Sequence, residues 1–435
     1  MAHRLSLGYN PEQFVNRETE IMKVEETLKR LREENQPAQV IIFRGERGIG
    51  KSWLVRHLHR SELKRKSPSP VSFLIHLLPI EGEDPDGEDE WIVSEPALMR
   101  LQASDPVTAE EIAKEITRDI LNFLTDKLNI TRAPRATIRE ISAWMVEDLK
   151  GRLQKEPELI ICLLIDSVFE ANHNLVDAIE QYLLAPIITL PRILIIMTGR
   201  GKSYLWKSPR LRLESEEQQI EQFKEENATE QVRKIGNQIQ EDSIIQQIAK
   251  RIHQFSGGYP LTIRLLTEAL LEKAALAQGS NPEQLEQTIN KIDFDEETLN
   301  QVTEQLLAGI LPESERDYLD YLEIASILKQ GFREHELQHL LAVKDSSITL
   351  TKVRQFIDQL LAVGLARWQD KRYIIDAAVQ SVLEARLKRR DPGRWKALHE
   401  RALKQFQEWN EKYRNQYYQQ RVKYHTEALT AKETA

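Results

Sequence analysis

Eight consecutive residues, 45–52, have the types and the spacing that would hold a phosphate group. They read Gly-Glu-Arg-Gly-Ile-Gly-Lys-Ser and fit the pattern G-x-x-x-x-G-K-[ST] of a phosphate-binding loop, called the P-loop below. Its glycines let the backbone wrap closely around a phosphate with its N–H groups turned inward. Lys51 would place a charge on the β- and γ-phosphates of a nucleotide, and the Ser52 hydroxyl would take one position on Mg²⁺. The alternative interpretation is an ordinary glycine-rich turn.

The segments on either side of the P-loop favour phosphate binding. Residues 40–43 form a short apolar run with strong β-propensity, and residues 53–58 begin a helical pattern. A strand, a loop and a helix in this order are the context that the motif requires, with the phosphates at the helix N-terminus. The nucleotide contacts predicted in this stretch are Gly45, Gly48, Ile49, Gly50, Lys51, Ser52 and Trp53.

A second apolar run ends in a carboxylate. Residues 159–165 are continuously apolar and Asp166 follows them. Such a run is typical of a parallel strand buried on both faces, and ligands bind at the carboxyl ends of such strands. Asp166 is therefore predicted to hold Mg²⁺ through water, and Glu170, four residues later, would activate the attacking water. The alternative for Asp166 is a residue of a surface turn.

A third stretch, residues 191–200, repeats this design. An apolar run ends in Thr198, Gly199 and Arg200. At the nucleotide edge of a sheet, Thr198 would sense the γ-phosphate and Arg200 would neutralise its charge. The alternative is an arginine on an ordinary loop. Together with the P-loop, these residues predict a catalytic set of Lys51, Asp166, Glu170 and Arg200, with Ser52 and Asp166 as the metal ligands.

The other segments predict the elements that position these residues. Residues 71–78 read as another buried strand, and the acidic residues 81–90 as a solvated loop. Helices are expected at 108–128 and 137–153, and at about 16–34 with Asn16 as the N-cap. From residue 214 onward the pattern is helical and polar. Gly257 and Gly258 would end one of these helices and Pro260 would open the next.

Two further segments complete a family resemblance. Val15, Asn16 and Arg17, one helix ahead of the P-loop, are similar to the hydrophobic-Gly-Arg box of STAND and related AAA-type NTPases, with Asn16 in place of the glycine. The residues 258–260 resemble the G-x-P box of STAND proteins. In order along the chain, these boxes make the sequence resemble a STAND-class P-loop NTPase, in the same broad group as NACHT, NB-ARC and MalT-like regulators. The resemblance implies that residues 15–17 pack over the adenine and that Pro260 touches the base or ribose.

The region after these boxes is predicted to be a winged helix. Residues 314–328, 334–343 and 351–363 form three amphipathic patterns, and residues 365–376 read as a β-hairpin. In the family this domain closes on the nucleotide through a histidine after the wing. Asp376 and Gln380 stand where the family has the histidine and a following arginine, so the contact that locks the ADP state is in doubt.

The expected fold class is an α/β P-loop NTPase, with a parallel sheet and helices on both faces, followed by an all-α helical lid and a winged-helix domain. The expected boundaries are 1–205, 206–305, 306–390 and a helical segment at 391–435. The last segment carries many basic residues and tyrosines. It reads either as a nucleic-acid patch or, as we favour, as a helical lead-in to a repeat array. The sequence shows no internal repeat of solenoid period.

The length and the composition are sufficient for ordinary hydrophobic cores. It has 435 residues, 41% of them hydrophobic, and a formal net charge of −8, which gives no overall drive toward nucleic acid. The longest apolar run falls far short of the roughly 20 residues that span a bilayer, and residues 1–7 lack the apolar core of a signal peptide. The single cysteine, Cys162, is expected in the core. These features point to the cytosol.

The predicted function is an ATP-binding switch that hydrolyses ATP slowly. ATP and Mg²⁺ would favour an open, self-associating form, ADP would favour a closed form, and the partner would be a protein signal or another copy of the chain. One alternative is a DNA-loading AAA-type ATPase with a winged helix, as in initiators or transposition regulators. Another is a nucleotide-binding scaffold without turnover, if Glu170 is misplaced.

Overall fold

The computed structural model divides the chain into two compact units, Met1–Glu221 and Gln222–Ala435, and each is described by itself. It describes residues 9–33, 37–78, 89–131, 135–200, 204–236, 242–276, 294–307, 316–362, 365–369 and 371–430. No helix within these ranges is both long enough and apolar enough to cross a membrane.

The first unit is built on a six-stranded parallel sheet. The strands are β1 (Gln39–Arg44), β2 (Val71–His76), β3 (Glu90–Ile92), β4 (Ile161–Asp166), β5 (Ile193–Gly199) and β6 (Ser215–Gln219). Their order across the sheet is β3-β2-β4-β5-β1-β6. One strand, β5, therefore separates the P-loop strand β1 from the strand that ends in Asp166. Because all the strands are parallel, their carboxyl ends meet at one edge.

Helices flank this sheet and fill its core. They are α1 (Glu18–Glu33), α2 (Lys51–His57), α3 (Glu95–Ala103), α4 (Pro106–Lys127), α5 (Ile138–Lys155), α6 (His173–Ile179), α7 (Ala185–Ile187) and α8 (Pro209–Glu214). A π-helical turn, Leu58–Glu62, continues α2. Helices α4 and α5 confirm the predictions at 108–128 and 137–153, and Cys162 is buried as expected.

Two edge elements of the sheet differ from the sequence predictions. Residues 215–219 were expected to be helical, but β6 pairs in parallel with β1. This strand has only one neighbour and carries exposed glutamates, so it lacks the apolar run that marks a buried strand. The prediction of a solvated loop at 81–90 was wrong for Glu90, which is buried in β3. Residues 79–88 lie outside the described part of the chain.

The second unit contains a winged helix preceded and followed by other helices. Before it come α9 (Glu225–Ile235), α10 (Asp242–Ser256), α11 (Pro260–Leu276) and α12 (Glu296–Leu307). The winged helix consists of α13 (Arg316–Ser326), α14 (Glu334–Leu341), α15 (Leu350–Ala362), β7 (Ala366–Gln369) and β8 (Arg372–Ile375). Strands β7 and β8 form an antiparallel hairpin, and Phe332 forms an isolated bridge to Tyr373. The predicted three helices and wing are confirmed.

Three long helices complete this unit. They are α16 (Ala377–Arg390), α17 (Pro392–Tyr413) and α18 (Gln416–Thr430). Asp376 is the N-cap of α16, because its carboxylate accepts hydrogen bonds from the backbone N–H groups of Ala378 and Val379. Arg386 and Arg390 both pair with the buried Glu323 of α13. These two arginines are therefore part of the packing of the unit.

Candidate nucleotide site

The P-loop lies between β1 and α2, as the motif requires. Gly48 has φ of +73° and Gly50 of +96°, a region that residues with a Cβ avoid. A Cβ at Gly45 would lie 2.7 Å from the Cγ2 atom of Ile49, so this glycine gives the loop room to close. The loop leads directly into α2, which begins at Lys51. Its backbone thus has the shape that the sequence predicted for a phosphate cradle.

Lys51 is held inside the turn of the loop. Its Nζ donates to the carbonyl oxygens of Gly45 and Glu46, each at 2.9 Å. The side chain is largely buried, with 7% of its residue surface exposed. The ammonium is therefore fixed at the P-loop, where it would meet the phosphates of a bound nucleotide.

Asp166 brings together residues from three separate stretches of the chain. Its Oδ1 accepts a hydrogen bond from the Thr198 hydroxyl at the end of β5, and the nearby Ser52 hydroxyl of α2 helps to lower the pKa of this carboxylate. Its Oδ2 lies 3.3 Å from Nδ1 of His76. Burial by itself raises the pKa of Asp166, but the interactions with His76, Thr198 and Ser52 outweigh burial and hold the pKa far below its ordinary value. The carboxylate is ionised at neutral pH.

This donor set fits Mg²⁺. Hard divalent cations prefer oxygen ligands, and Mg²⁺ commonly takes only one or two protein ligands beside substrate phosphates. Ser52 and Asp166 supply a hydroxyl and an ionised carboxylate that interact with each other. Within the described residues there is no group of three His, Cys, Asp or Glu side chains that could hold a metal ion by itself.

Glu170 and Arg200 contact each other. The Nε of Arg200 lies 2.9 Å from Oε1 of Glu170, and the backbone N–H of Arg200 donates to Oε2 at 3.1 Å. Both carboxylate oxygens of the predicted base are therefore engaged by one residue. Gly199, next to Arg200, makes room for Phe169, because a Cβ there would lie 2.2 Å from the ring of Phe169.

Residues 15–17 are attached to the P-loop by the side chain of Arg17. Asn16 and Arg17 have φ of +60° and +88°. The carbonyl of Arg17 accepts the first helical hydrogen bond of α1, from the N–H of Ile21, so Arg17 and not Asn16 occupies the N-cap position. The guanidinium of Arg17 donates to the carbonyl oxygens of Ile49 at 2.6 Å and Glu221 at 2.9 Å.

An aromatic group that the sequence analysis missed joins the N-terminal segment to α2. The rings of Tyr9 and Trp53 meet edge to face at 5.5 Å. The Tyr9 hydroxyl lies 2.9 Å from Nδ1 of His57, and Phe14 stacks on His57 at 3.8 Å. The missed signal was the aromatic character of residues 9–14 immediately before the box at 15–17. Val15, which follows Phe14 in the sequence, is buried. Base contacts by Val15, Asn16, Arg17 and Trp53 remain predictions.

Pro260 lies in the second unit, and the end of one helix and the start of the next explain the residues around it. Gly257 and Gly258 have φ of +63° and +81°, and α11 begins at Pro260. A Cβ at Gly258 would lie 2.3 Å from the carbonyl oxygen of Phe223. The predicted contact of Pro260 with a nucleotide therefore remains a prediction.

The sheet, the P-loop and the carboxylate at the end of β4 define a P-loop NTPase fold. No family model and no curated protein matches the sequence. Among solved structures, a Walker-type ATPase of Pyrococcus abyssi is similar over 87% of this chain and 99% of its own, with a TM-score of 0.50 and 19% identity. Cdc6p from Pyrobaculum aerophilum covers 88% of this chain and 97% of its own at 15% identity and a TM-score of 0.43. The Aeropyrum pernix ORC1 protein, solved with DNA, covers 87% and 93% at 14% identity and 0.43. At 19% identity the likeness to the Pyrococcus abyssi protein concerns the fold alone.

Proposed function

We propose that the protein is an ATPase that binds ATP with Mg²⁺ and works as a nucleotide-dependent switch. The observation that carries the proposal is the convergence on one ionised carboxylate, Asp166, of the P-loop serine Ser52 and of Thr198 at the end of β5. Ser52 and Asp166 are more than a hundred residues apart in the sequence. They come together at the carboxyl edge of a parallel sheet, where ligands of this fold bind.

The residues have distinct roles in this proposal. The loop N–H groups and Lys51 bind the phosphates, and Ser52 with Asp166 hold Mg²⁺. When bound, the metal ion neutralises charge on the phosphate oxygens. Thr198 fixes one oxygen of Asp166 by donating a hydrogen bond. Glu170 accepts a proton from the attacking water.

The Glu170–Arg200 pair supplies the switch. A γ-phosphate would compete with Glu170 for the guanidinium of Arg200, and a guanidinium binds phosphate and carboxylate by the same fork of N–H donors. Transfer of Arg200 to the phosphate frees Oε1 of Glu170, while the backbone N–H of Arg200 still holds Oε2. ADP lacks this competitor, so ATP and ADP make different contacts, which is the condition for shifting an equilibrium. The pairing also supports slow turnover, because the base is engaged before ATP binds.

Nucleotide binding and phosphate release test the proposal directly. Lys51→Ala should weaken binding of a fluorescent ATP analogue by at least about 100-fold, since it removes the charge at the β- and γ-phosphates. Lys150→Ala, on the exposed face of α5, is the matched control. Asp166→Asn should abolish Mg²⁺-dependent phosphate release. Wild-type affinity in Lys51→Ala would show that the P-loop is not the binding site. Binding without phosphate release in the wild type would leave a scaffold without turnover.

The switch has two candidate outputs, and the first is STAND-type self-association. The predicted winged helix and helical segments would close around ADP and open with ATP. Size-exclusion chromatography with light scattering should then show a larger mass with a non-hydrolysable ATP analogue than with ADP, and Lys51→Ala should not respond. A constant monomer mass in every state would rule out this output.

The second output is loading onto DNA, and the surface of α15 favours it. Its residues Val353, Phe356, Ile357 and Leu360 are buried. Its exposed residues are Thr351, Lys352, Arg354, Gln355, Asp358 and Gln359. Amide and cationic side chains are the groups that read base edges in the major groove. On the adjacent wing, Trp368 is 48% exposed and Lys371 is exposed at the turn.

Duplex binding measured over a range of salt concentrations tests this second output. Lys352→Ala and Lys371→Ala should each reduce the slope of log affinity against log salt by about 1, as expected for one lost phosphate contact. Lys396→Ala on α17 is an exposed control whose side chain lies near Glu400. Wild-type slopes in both wing-region variants, or no salt-dependent binding by the wild type, would exclude this surface as a DNA interface.

A further inference from the structure

His76 touches the carboxylate of Asp166 from the neighbouring strand. It is the last residue of β2, and the parallel register places it opposite Asp166 at the end of β4. Nδ1 of the imidazole lies 3.3 Å from Oδ2 of Asp166. Only 1% of His76 and 3% of Asp166 are exposed. Each oxygen of Asp166 thus has its own partner, since Oδ1 accepts from Thr198.

The other side of the His76 ring faces a second buried carboxylate. Its Nε2 lies 3.9 Å from Oε2 of Glu90 on β3, and this nitrogen has no hydrogen-bond partner within the described residues. A distance of this size can be bridged by one water molecule or closed by a small shift. A histidine that filled the core only for packing would not be flanked by two carboxylates.

Glu90 is in turn held from the P-loop helix. Nε of Arg60 donates to Oε1 of Glu90 at 2.6 Å, and Nη2 donates to Oε2 at 3.0 Å. Arg60 lies in the π-helical turn that continues α2, the helix that begins at Lys51. We call Arg60, Glu90, His76 and Asp166 the carboxylate network. It runs from the far end of the P-loop helix across β3 and β2 to the carboxylate beside Ser52.

We propose that His76, held by Glu90 and Arg60, is a positioning residue that fixes the Asp166 carboxylate for Mg²⁺-linked nucleotide binding. This inference rests on the proposed nucleotide site. With Thr198 on Oδ1 and His76 on Oδ2, the carboxylate cannot rotate about its last bond without losing a buried hydrogen bond. Partners that orient a metal-binding carboxylate commonly change metal affinity by about 10- to 100-fold when they are removed. No sequence motif marks His76, because its role depends on the register of two strands.

Two amide substitutions separate the two sides of the ring. In His76→Asn, the amide nitrogen can take the place of Nδ1 and still donate to Asp166, but the side chain cannot reach Glu90. In His76→Gln, the amide can take the place of Nε2 and leaves Asp166 without this partner. The readout is the Mg²⁺ concentration that gives half of the metal-dependent gain in affinity for a fluorescent ATP analogue. Affinity in EDTA is measured in parallel as the metal-free reference.

We expect His76→Gln and His76→Ala to raise that Mg²⁺ concentration by about 10- to 100-fold, with affinity in EDTA within about two-fold of wild type. For His76→Asn, both this Mg²⁺ concentration and the affinity in EDTA should stay within about three-fold of wild type. Glu90→Gln, which leaves the ring in place but weakens its support, should give a smaller rise. The control is His173→Ala, an exposed histidine at the start of α6, which should behave as wild type.

Several outcomes overturn the proposal. Equal Mg²⁺ dependence in His76→Gln, His76→Asn and wild type would show that the ring does not position Asp166. A loss of affinity in EDTA that matches the loss in Mg²⁺ would show that His76 supports only the general structure. If the histidine variants do not fold, unchanged Mg²⁺ dependence in Glu90→Gln would have the same meaning. Absence of nucleotide binding in the wild type would instead remove the proposed function, and this inference with it.

Discussion

Arg200 engages both carboxylate oxygens of Glu170. Its Nε lies 2.9 Å from Oε1 and its backbone N–H donates to Oε2 at 3.1 Å. The residue expected to read the γ-phosphate therefore holds the residue expected to activate water. In the proposed mechanism the two would separate at the guanidinium, so that Glu170 can turn a carboxylate oxygen toward the attacking water.

Glu170→Gln should lower the single-turnover rate of ATP hydrolysis by about 100-fold or more, the usual contribution of a general base. ATP affinity should not fall and should rise if anything, because Glu170 is not a predicted phosphate ligand and the amide competes less strongly than the carboxylate with a γ-phosphate for Arg200. Rapid-quench measurement of phosphate release gives the rate. Glu147→Gln on an exposed position of α5 is the control. Hydrolysis at the wild-type rate would mean that another group activates the water.

Arg200→Ala should reduce the preference for ATP over ADP. Loss of one hydrogen bond to a charged group costs about 1.5–3 kcal/mol, which corresponds to roughly a 10- to 100-fold weaker binding of a non-hydrolysable ATP analogue. ADP affinity should change little. Competition against a fluorescent nucleotide measures both, with the exposed Arg212 of α8 replaced by alanine as the control. An equal loss for ATP and ADP would contradict γ-phosphate sensing by Arg200.

Arg17→Ala should destabilise the P-loop. The change removes the donors to the buried carbonyl of Ile49 and to Glu221, and a buried acceptor without its donor costs about 1–3 kcal/mol. For a unit of this size we expect the melting temperature to fall by at least about 2–4 °C. Arg17→Lys should recover part of this loss, because an ammonium can donate to one carbonyl but lacks the guanidinium fork. Scanning calorimetry with and without ADP measures the shift. Unchanged melting in both variants would show that this bridge does not support the loop.

His425 should make the helices α17 and α18 sensitive to acid. Its Nδ1 lies 3.0 Å from Nδ1 of His399 in the core. Burial first, then the neighbouring charges of His399 and Arg421, lower the pKa of His425 to about 3, while Glu384 opposes the shift. Between the ordinary value of about 6.5 and this value, the unfolded chain binds the additional proton. The free energy of unfolding therefore falls as pH falls, by about 1.4 kcal/mol per pH unit.

His425→Gln should flatten this dependence between pH 6.5 and 5. Urea unfolding at several pH values, followed by hydrogen exchange of peptides from α17 and α18, measures the slope. The wild-type slope in the variant would assign the acid sensitivity to other groups. His173→Gln, on an exposed histidine of the first unit, should keep the wild-type slope.

Elements with continuous apolar patterns could be predicted, and polar edge elements could not. β4 and β5 are buried on both faces, so their sequences are apolar throughout and end where Asp166 and Thr198 begin the site. β6 has one neighbour and polar residues, and β3 has only three residues, so neither produces a strand pattern. The exposed surface of α15 could not be read from its composition for a related reason. Composition gives the same weight to buried and exposed residues, whereas a partner meets only the exposed ones.

The P-loop can be identified from local sequence, because its contacts lie within a few consecutive residues and Gly48 and Gly50 can adopt positive φ without strain. The apolar runs also show that Asp166 and Thr198 lie at the ends of buried strands. Which side chains share the Asp166 carboxylate depends on the folded sheet. His76 lies 90 positions away along the chain, and its approach depends on the register of β2 against β4. That register is set by the packing of the whole sheet, which no local pattern in the sequence contains.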